Sequence, residues 1–221
     1  MLVPSMTLQE IKHALVTDYS REMKLKFKGL HVCIRGKWLR NGQKDFIETI
    51  SHVSKSRNHW RIIVQMKGQF ASIMPYMVSY DHVGITASHI TDPSGSMEML
   101  NFNTHFFKRY RERMNLDIEK PEEVVKYFFK RNTRIVTGYY PMPDGTNQLF
   151  CPINGGVGLG YYHEELGVLQ FKTFVDDSLL RENQKRDLAR IWRGAMSESD
   201  KKAVEDMQRI YANAWWWDYA A

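Results

Sequence analysis

Along residues 7–23 the apolar positions Leu8, Ile11, Leu15, Val16 and Tyr19 recur at steps of three and four, which predicts an amphipathic helix. Thr7 falls at its N-cap, and Glu10 three residues on completes a capping box. The period then changes. Five runs, 25–39, 46–53, 60–66, 70–80 and 83–90, are rich in β-branched and aromatic residues and are broken at Asn41-Gly42, Lys67-Gly68 and Asp81. They read as an antiparallel, β-rich part that ends at the loop Asp92-Pro93-Ser94-Gly95-Ser96.

A different order of elements follows. Asn103 or Thr104 caps a helix running to about Asn115, and Pro121 opens a second with Val124, Val125, Phe128 and Phe129 as its apolar residues. Four strand-like runs come next, 133–140, 148–153, 157–163 and 168–175. They are separated by Pro143-Asp144-Gly145, Asn154-Gly155-Gly156 and Glu165-Leu166-Gly167, each short enough for a hairpin. Leu180, Leu188, Ile191 and Trp192 begin a helical tail. Val204, Met207, Tyr211 and Ala214 continue it, with Ser197 or Ser199 as cap. The expected fold is α+β in three stretches: a helix plus β-rich part over 1–95, an αα-ββββ module over 96–177 and a helical tail over 178–221.

Composition narrows the class. The 221 residues are 43% apolar, 13% aromatic and 25% charged, with 14 Gly and 7 Pro, which excludes a disordered polyelectrolyte and a collagen-like chain. No run approaches the ~20 apolar residues of a membrane span. The opening Met1 to Met6 is too short for a secretory signal, and two cysteines, Cys33 and Cys151, make no disulfide framework. The expectation is a cytoplasmic protein without a membrane partner. Its net charge of +6 is unevenly placed: residues 1–60 carry +6 and residues 105–134 carry +4, while the other segments are slightly acidic. Such an excess suits a nucleic-acid partner or serves solubility.

The second basic segment holds the sharpest candidate chemistry. Within Thr104-His105-Phe106-Phe107-Lys108-Arg109-Tyr110-Arg111-Glu112-Arg113-Met114, the residues His105, Arg109 and Arg113 are spaced by four and share one helical stripe. A histidine can move a proton near neutral pH, and guanidinium groups hold phosphate in a planar fork. The same pattern is also that of a solvated basic face. A metal site is not expected, because the eight histidines form no HExxH and neither cysteine has a ligand-spaced neighbour. Gly155-Gly156-Val157-Gly158-Leu159-Gly160 opens onto a strand and not a helix, so it reads as a hairpin turn and not a phosphate loop. Cys151, mid-strand among apolar residues, reads as a core thiol. The run Trp215-Trp216-Trp217 reads as a C-terminal anchor, a base-stacking element or an oligomer contact.

A His- and Arg-bearing helix, a second helix and a four-stranded meander ending in Lys172-Thr173-Phe174-Val175 together resemble the barnase, EndoU, colicin and RelE-like group of small nucleases, over residues 100–177. The resemblance implies a metal-independent, toxin-type or mobile-element ribonuclease that needs no cofactor and cleaves RNA by transesterification, with an immunity protein as a possible class of partner. His105 would be general base or acid, Arg109 and Arg113 would clamp the phosphate, and Thr173 would bond a non-bridging oxygen. Beyond the resemblance, Lys108, Arg111 and Arg134 are candidate substrate contacts, and His163, ending the third strand of the meander, is the nearest candidate for a second acid or base or else a turn histidine beside two solvated carboxylates. The competing readings are a non-catalytic nucleic-acid or protein binder using helix 104–114, and a structural adaptor.

Overall fold

Nine strands join in one mixed sheet in the computed structural model, which describes residues 2–80, 82–91, 97–133 and 135–195. The chain enters through helix α1 (Leu8–Asp18), a π-helical turn (Tyr19–Met23) and helix α2 (Lys24–Arg40). It then runs through β1 (Phe46–Val53), β2 (His59–Lys67), β3 (Phe70–Tyr80), β4 (Ile85–Thr91) and β5 (Glu98–Phe102). Helices α3 (Thr104–Arg113) and α4 (Pro121–Arg131) cross to β6 (Gly138–Pro141), β7 (Asn147–Ile153), β8 (Gly156–His163) and β9 (Val168–Asp176), and α5 spans Glu182–Ala195.

The strand order is β1-β2-β3-β4-β5-β9-β8-β7-β6. Every pair is antiparallel except β5–β9, where Leu100 faces Leu169 and Phe102 faces Phe171 in parallel register. Two meanders therefore meet at one parallel seam. The stretches 1–95 and 96–177 share this sheet, since β4 pairs with β5 and β5 with β9.

Strand alternation divides the apolar side chains between two cores, one on each face. On the first face α3 and α4 pack Phe106, Phe107, Tyr110, Val124, Phe128 and Phe129 onto Ile63, Met74, Tyr76, Leu100, Phe102, Phe171 and Phe174. Phe102 lies at its centre, stacked on Phe171 at 4.5 Å between centroids and edge-on to Phe129 at 5.6 Å. On the second face α1, the π-helical turn and α2 lay Leu15, Met23, Ile34 and Trp38 onto Trp60, Ile62, Val64, Met66, Met77 and Val168. Buried Asp18 ties the end of α1 to this sheet by accepting from Asn58 Nδ2 at 2.8 Å and Trp60 Nε1 at 3.2 Å.

Several expected local signals are present. Thr7 caps α1 in a full capping box with Glu10, Asn103 Oδ1 accepts from the Phe106 amide at 2.9 Å to start α3, and Pro121 is the first residue of α4. Gly155, at φ +87°, turns the β7–β8 hairpin. At Gly160 a Cβ would stand 1.9 Å from the Gln170 carbonyl oxygen, where β8 and β9 shift register, so this strand does need a bare backbone.

Three expectations are corrected. Residues 25–39 are helical: Lys-Leu-Lys-Phe-Lys mimics strand alternation, but Phe27, Leu30, Ile34 and Trp38 at helical spacing supply the buried side. Leu25, Val32 and Leu39 form an exposed apolar stripe opposite, and this second stripe blurred the helical period. Residues 98–102, read as lying beyond a boundary loop, form β5 in the middle of the sheet. The expected strand 133–140 shrinks to Gly138–Pro141, and the expected four-stranded module is one end of a nine-stranded sheet. The loop 92–96, Arg134, the helix over 204–214 with its cap, and Trp215-Trp216-Trp217 lie outside the described residues.

Candidate functional site

Helix α3 is held by its apolar side, which leaves His105, Lys108, Arg109 and Glu112 exposed. Within the expected stripe, Arg109 Nε donates to His105 Nε2 at 3.4 Å, and Arg109 Nη1 meets Glu112 at 3.2 Å. Arg113 does not join them. Its Nη1 donates to the Phe174 carbonyl, fastening the last turn of α3 to β9.

Thr173 is on the other side of the sheet. Cys151, Gly158 and Phe174 form one row across β7–β9 that faces the α3–α4 core, as the Phe174 ring against Tyr110 at 5.0 Å shows. The neighbouring row, Phe150, Leu159 and Thr173, points away from it. His163 is also remote, because it stands opposite Val168, a member of the α1–α2 core, and meets Gln170 Oε1 at 3.3 Å. The structure thus brings together His105 and Arg109 and separates them from Thr173 and His163. Strict alternation would put Phe171 and Thr173 on one face, but the ladder shifts register between them, so Phe171 and Phe174 share the α3–α4 core and Thr173 turns away.

Lys108 and Arg111 have a shared setting. They border a cleft of about 210 Å³ whose other walls are Val83, Gly84, Ile85, Thr104, Phe107, Pro121 and Val124. Neither cation makes an ion pair or a side-chain hydrogen bond among the described residues. The arrangement offers an apolar slot with two unpaired positive charges at its mouth, and the His105–Arg109 pair lies on the adjoining flank of the same helix.

Charge elsewhere is concentrated on the opposite face. Helix α2 holds six Lys and Arg residues and no carboxylate, so it alone equals the net charge of the chain. Only Lys37, against Glu48, has an ion-pair partner among the described residues. The distribution by segments hid this, since a helix was read there as a strand.

A larger cleft, of about 630 Å³, opens between the β1–β3 face and the start of α4. It contains Thr49, Ser51, His59, Arg61, Tyr76 and Tyr80 from the strands and Glu122, Glu123 and Lys126 from the helix. Sequence reasoning missed it. Arg61 breaks the apolar run of β2 and Ser51 sits among the polar positions of β1, but only the register that aligns Ser51, Arg61 and Tyr76 in one row makes them a group. Burial first, then the bond to Glu122, pushes the Tyr80 hydroxyl up to about 12, and burial raises Tyr76 further.

Cys151 is fully buried, its thiol facing the Val136 carbonyl at 3.2 Å, and burial pushes it well above the usual thiol range; it is a core residue. Among the described residues no three His, Cys, Asp or Glu side chains cluster as metal ligands, and no helix is long and apolar enough to cross a membrane. Comparison with protein-family models, curated proteins and solved structures returns no match for this chain.

Proposed function

We propose that the protein binds RNA on the exposed side of α3, with an unstacked base in the slot beside Phe107 and the flanking phosphates on Lys108 and Arg111. The observation that carries this reading is the pair of unpartnered cations at the mouth of an apolar cleft. Proteins that take single-stranded RNA combine such an apolar seat for a base with cations that follow the backbone. Arg109 extends the positive surface along the helix, with His105 as its hydrogen-bond acceptor. Gel-shift titration of mixed single-stranded RNA over a range of salt tests it: binding weakens with salt, and Lys108→Glu with Arg111→Glu removes it.

A second reading, metal-independent cleavage, keeps one observation in its favour, the solvent-exposed contact between His105 and Arg109. A histidine beside a guanidinium can exchange a proton with a 2′-hydroxyl while the phosphate is held. The site then works without Thr173 and Arg113, which the fold commits elsewhere. Incubation with RNA in EDTA separates the readings: cleavage lost in His105→Ala supports catalysis, and bound but intact RNA supports binding alone.

A further inference from the structure

We propose that the cleft between β1–β3 and the start of α4 is a binding site for a small amino-carboxylate, a ligand of free amino-acid to dipeptide size. The proposal stands apart from the RNA reading, on a different set of residues. The floor of the cleft supplies unspent donors. Arg61 makes no ion pair or side-chain hydrogen bond among the described residues, although it is half-buried. Tyr76 is 1% exposed, and its hydroxyl has no hydrogen-bond partner among the described residues. Its ring is stacked on Phe129 at 4.2 Å between centroids, so the hydroxyl is held in place. Thr49 Oγ1, buried in the same wall, also lacks a partner.

A buried polar atom without a partner is costly, and Thr49 Oγ1 is one; with the unpaired Arg61 guanidinium and Tyr76 hydroxyl lining the same cavity, it indicates what should enter. A planar carboxylate matches the guanidinium fork and accepts from the Tyr76 and Thr49 hydroxyls. The facing wall has the opposite sign. Glu122 accepts from Tyr80, and both Glu123 oxygens accept from Lys126 Nζ, at 3.2 and 3.0 Å; with two lone pairs per oxygen, each carboxylate can accept further bonds. An ammonium group fits there. Two carboxylates on that wall also disfavour a dianionic phosphate, and Leu2, Pro4 and Val78 give the ligand body an apolar border.

The test is titration of the full chain with the free amino acids and glycyl dipeptides, with their N-acetyl and carboxamide derivatives, and with inorganic phosphate. Binding is followed by calorimetry and by the amide resonances of Thr49, Arg61 and Tyr76. The expected result is a free amino-carboxylate that binds and shifts those resonances, and that loses about tenfold or more in affinity when either end is blocked. Arg61→Met and Tyr76→Phe weaken the parent ligand by a similar factor. Glu122→Gln weakens the parent but not its N-acetyl form, a pattern that mere loss of packing does not produce. Where Arg61→Met fails to fold, Arg61→Lys, which keeps the charge and loses the fork, decides in its place. Absence of binding across the panel, equal binding of blocked and free ligands, binding of phosphate alone, or unchanged affinity in the folded Arg61 variant overturns the proposal.

Discussion

Thr173 lies directly across the β8–β9 ladder from Leu159, on the face of the sheet that α3 does not cover. Arg113, in the last turn of α3, spends a guanidinium N–H on the carbonyl of the next residue, Phe174. The two residues should therefore behave differently from His105 and Arg109. Thr173→Ala leaves RNA binding, and any cleavage, unchanged. Arg113→Ala lowers thermal stability by about 1–2 kcal/mol through loss of a charged donor to a backbone oxygen, with little change in RNA affinity. Thermal melts and gel shifts of the two variants check both statements.

Acid should destabilise the fold through two groups. Burial pushes the His89 imidazole from 6.5 down to about 4, against the smaller opposing effect of its 2.6 Å bond to the Pro75 carbonyl. The unfolded chain then takes up a proton that the folded one refuses. This contribution is complete above the ordinary histidine value and is lost as pH falls from about 6.5 toward about 4, with a slope of at most ~1.4 kcal/mol per pH unit. Burial would raise the Asp18 carboxyl, but hydrogen bonds from Ser54, Asn58, Ser56 and Trp60 outweigh it and hold the group below its usual value. Its stabilisation is present above the ordinary carboxylate range and is lost at still lower pH. Urea unfolding at stepped pH should show His89→Asn flattening the first fall and leaving the second.

The parallel seam makes the two meanders interdependent. Phe102 touches Phe106, Phe107, Phe128, Phe129 and Phe171, so Phe102→Ala should cost roughly 3–5 kcal/mol and Phe102→Leu clearly less. The expected denaturation is a single transition shifted as a whole. Two transitions, with only one moved by the variant, would show that the seam does not couple the halves.

Much of this architecture could be read from local chemistry, because caps and hairpins are encoded by adjacent residues. Thr7 with Glu10, Asn103, Pro121 and Gly155 each mark an element end within a few positions. Helix α2 was misread because two apolar stripes on opposite sides of a helix cancel its period. β5 was missed because it is only five residues long and follows the Pro, Gly and Ser run 92–96 that reads as a boundary, and its central place depends on pairing with β9, about seventy positions on. The same limit explains the candidate site. His105 and Arg109 share a helix and were legible, whereas the separation of Thr173, the slot beside Lys108 and the Ser51–Arg61–Tyr76 row depend on register and packing across distant segments.

The two cysteines report on the helical assignment of α2. Cys33 is exposed beside Val32, and Cys151 is sealed in the α3–α4 core. An Ellman titration of the native protein should therefore find one rapidly reacting thiol, removed by Cys33→Ser, and a second that appears only on unfolding.

The central claim is that RNA contacts α3 and not merely the most basic surface, and a charge-matched pair of double variants tests it most directly. Lys108→Glu with Arg111→Glu and Lys28→Glu with Arg35→Glu change the net charge equally, the first at the slot and the second on α2. RNA affinity is measured against salt concentration for each. The account predicts that the α3 variant loses about tenfold or more in affinity and has a shallower salt dependence, while the α2 variant stays close to the parent. Loss of binding in the α2 variant with retention in the α3 variant would contradict it and move the interface to the other face of the sheet.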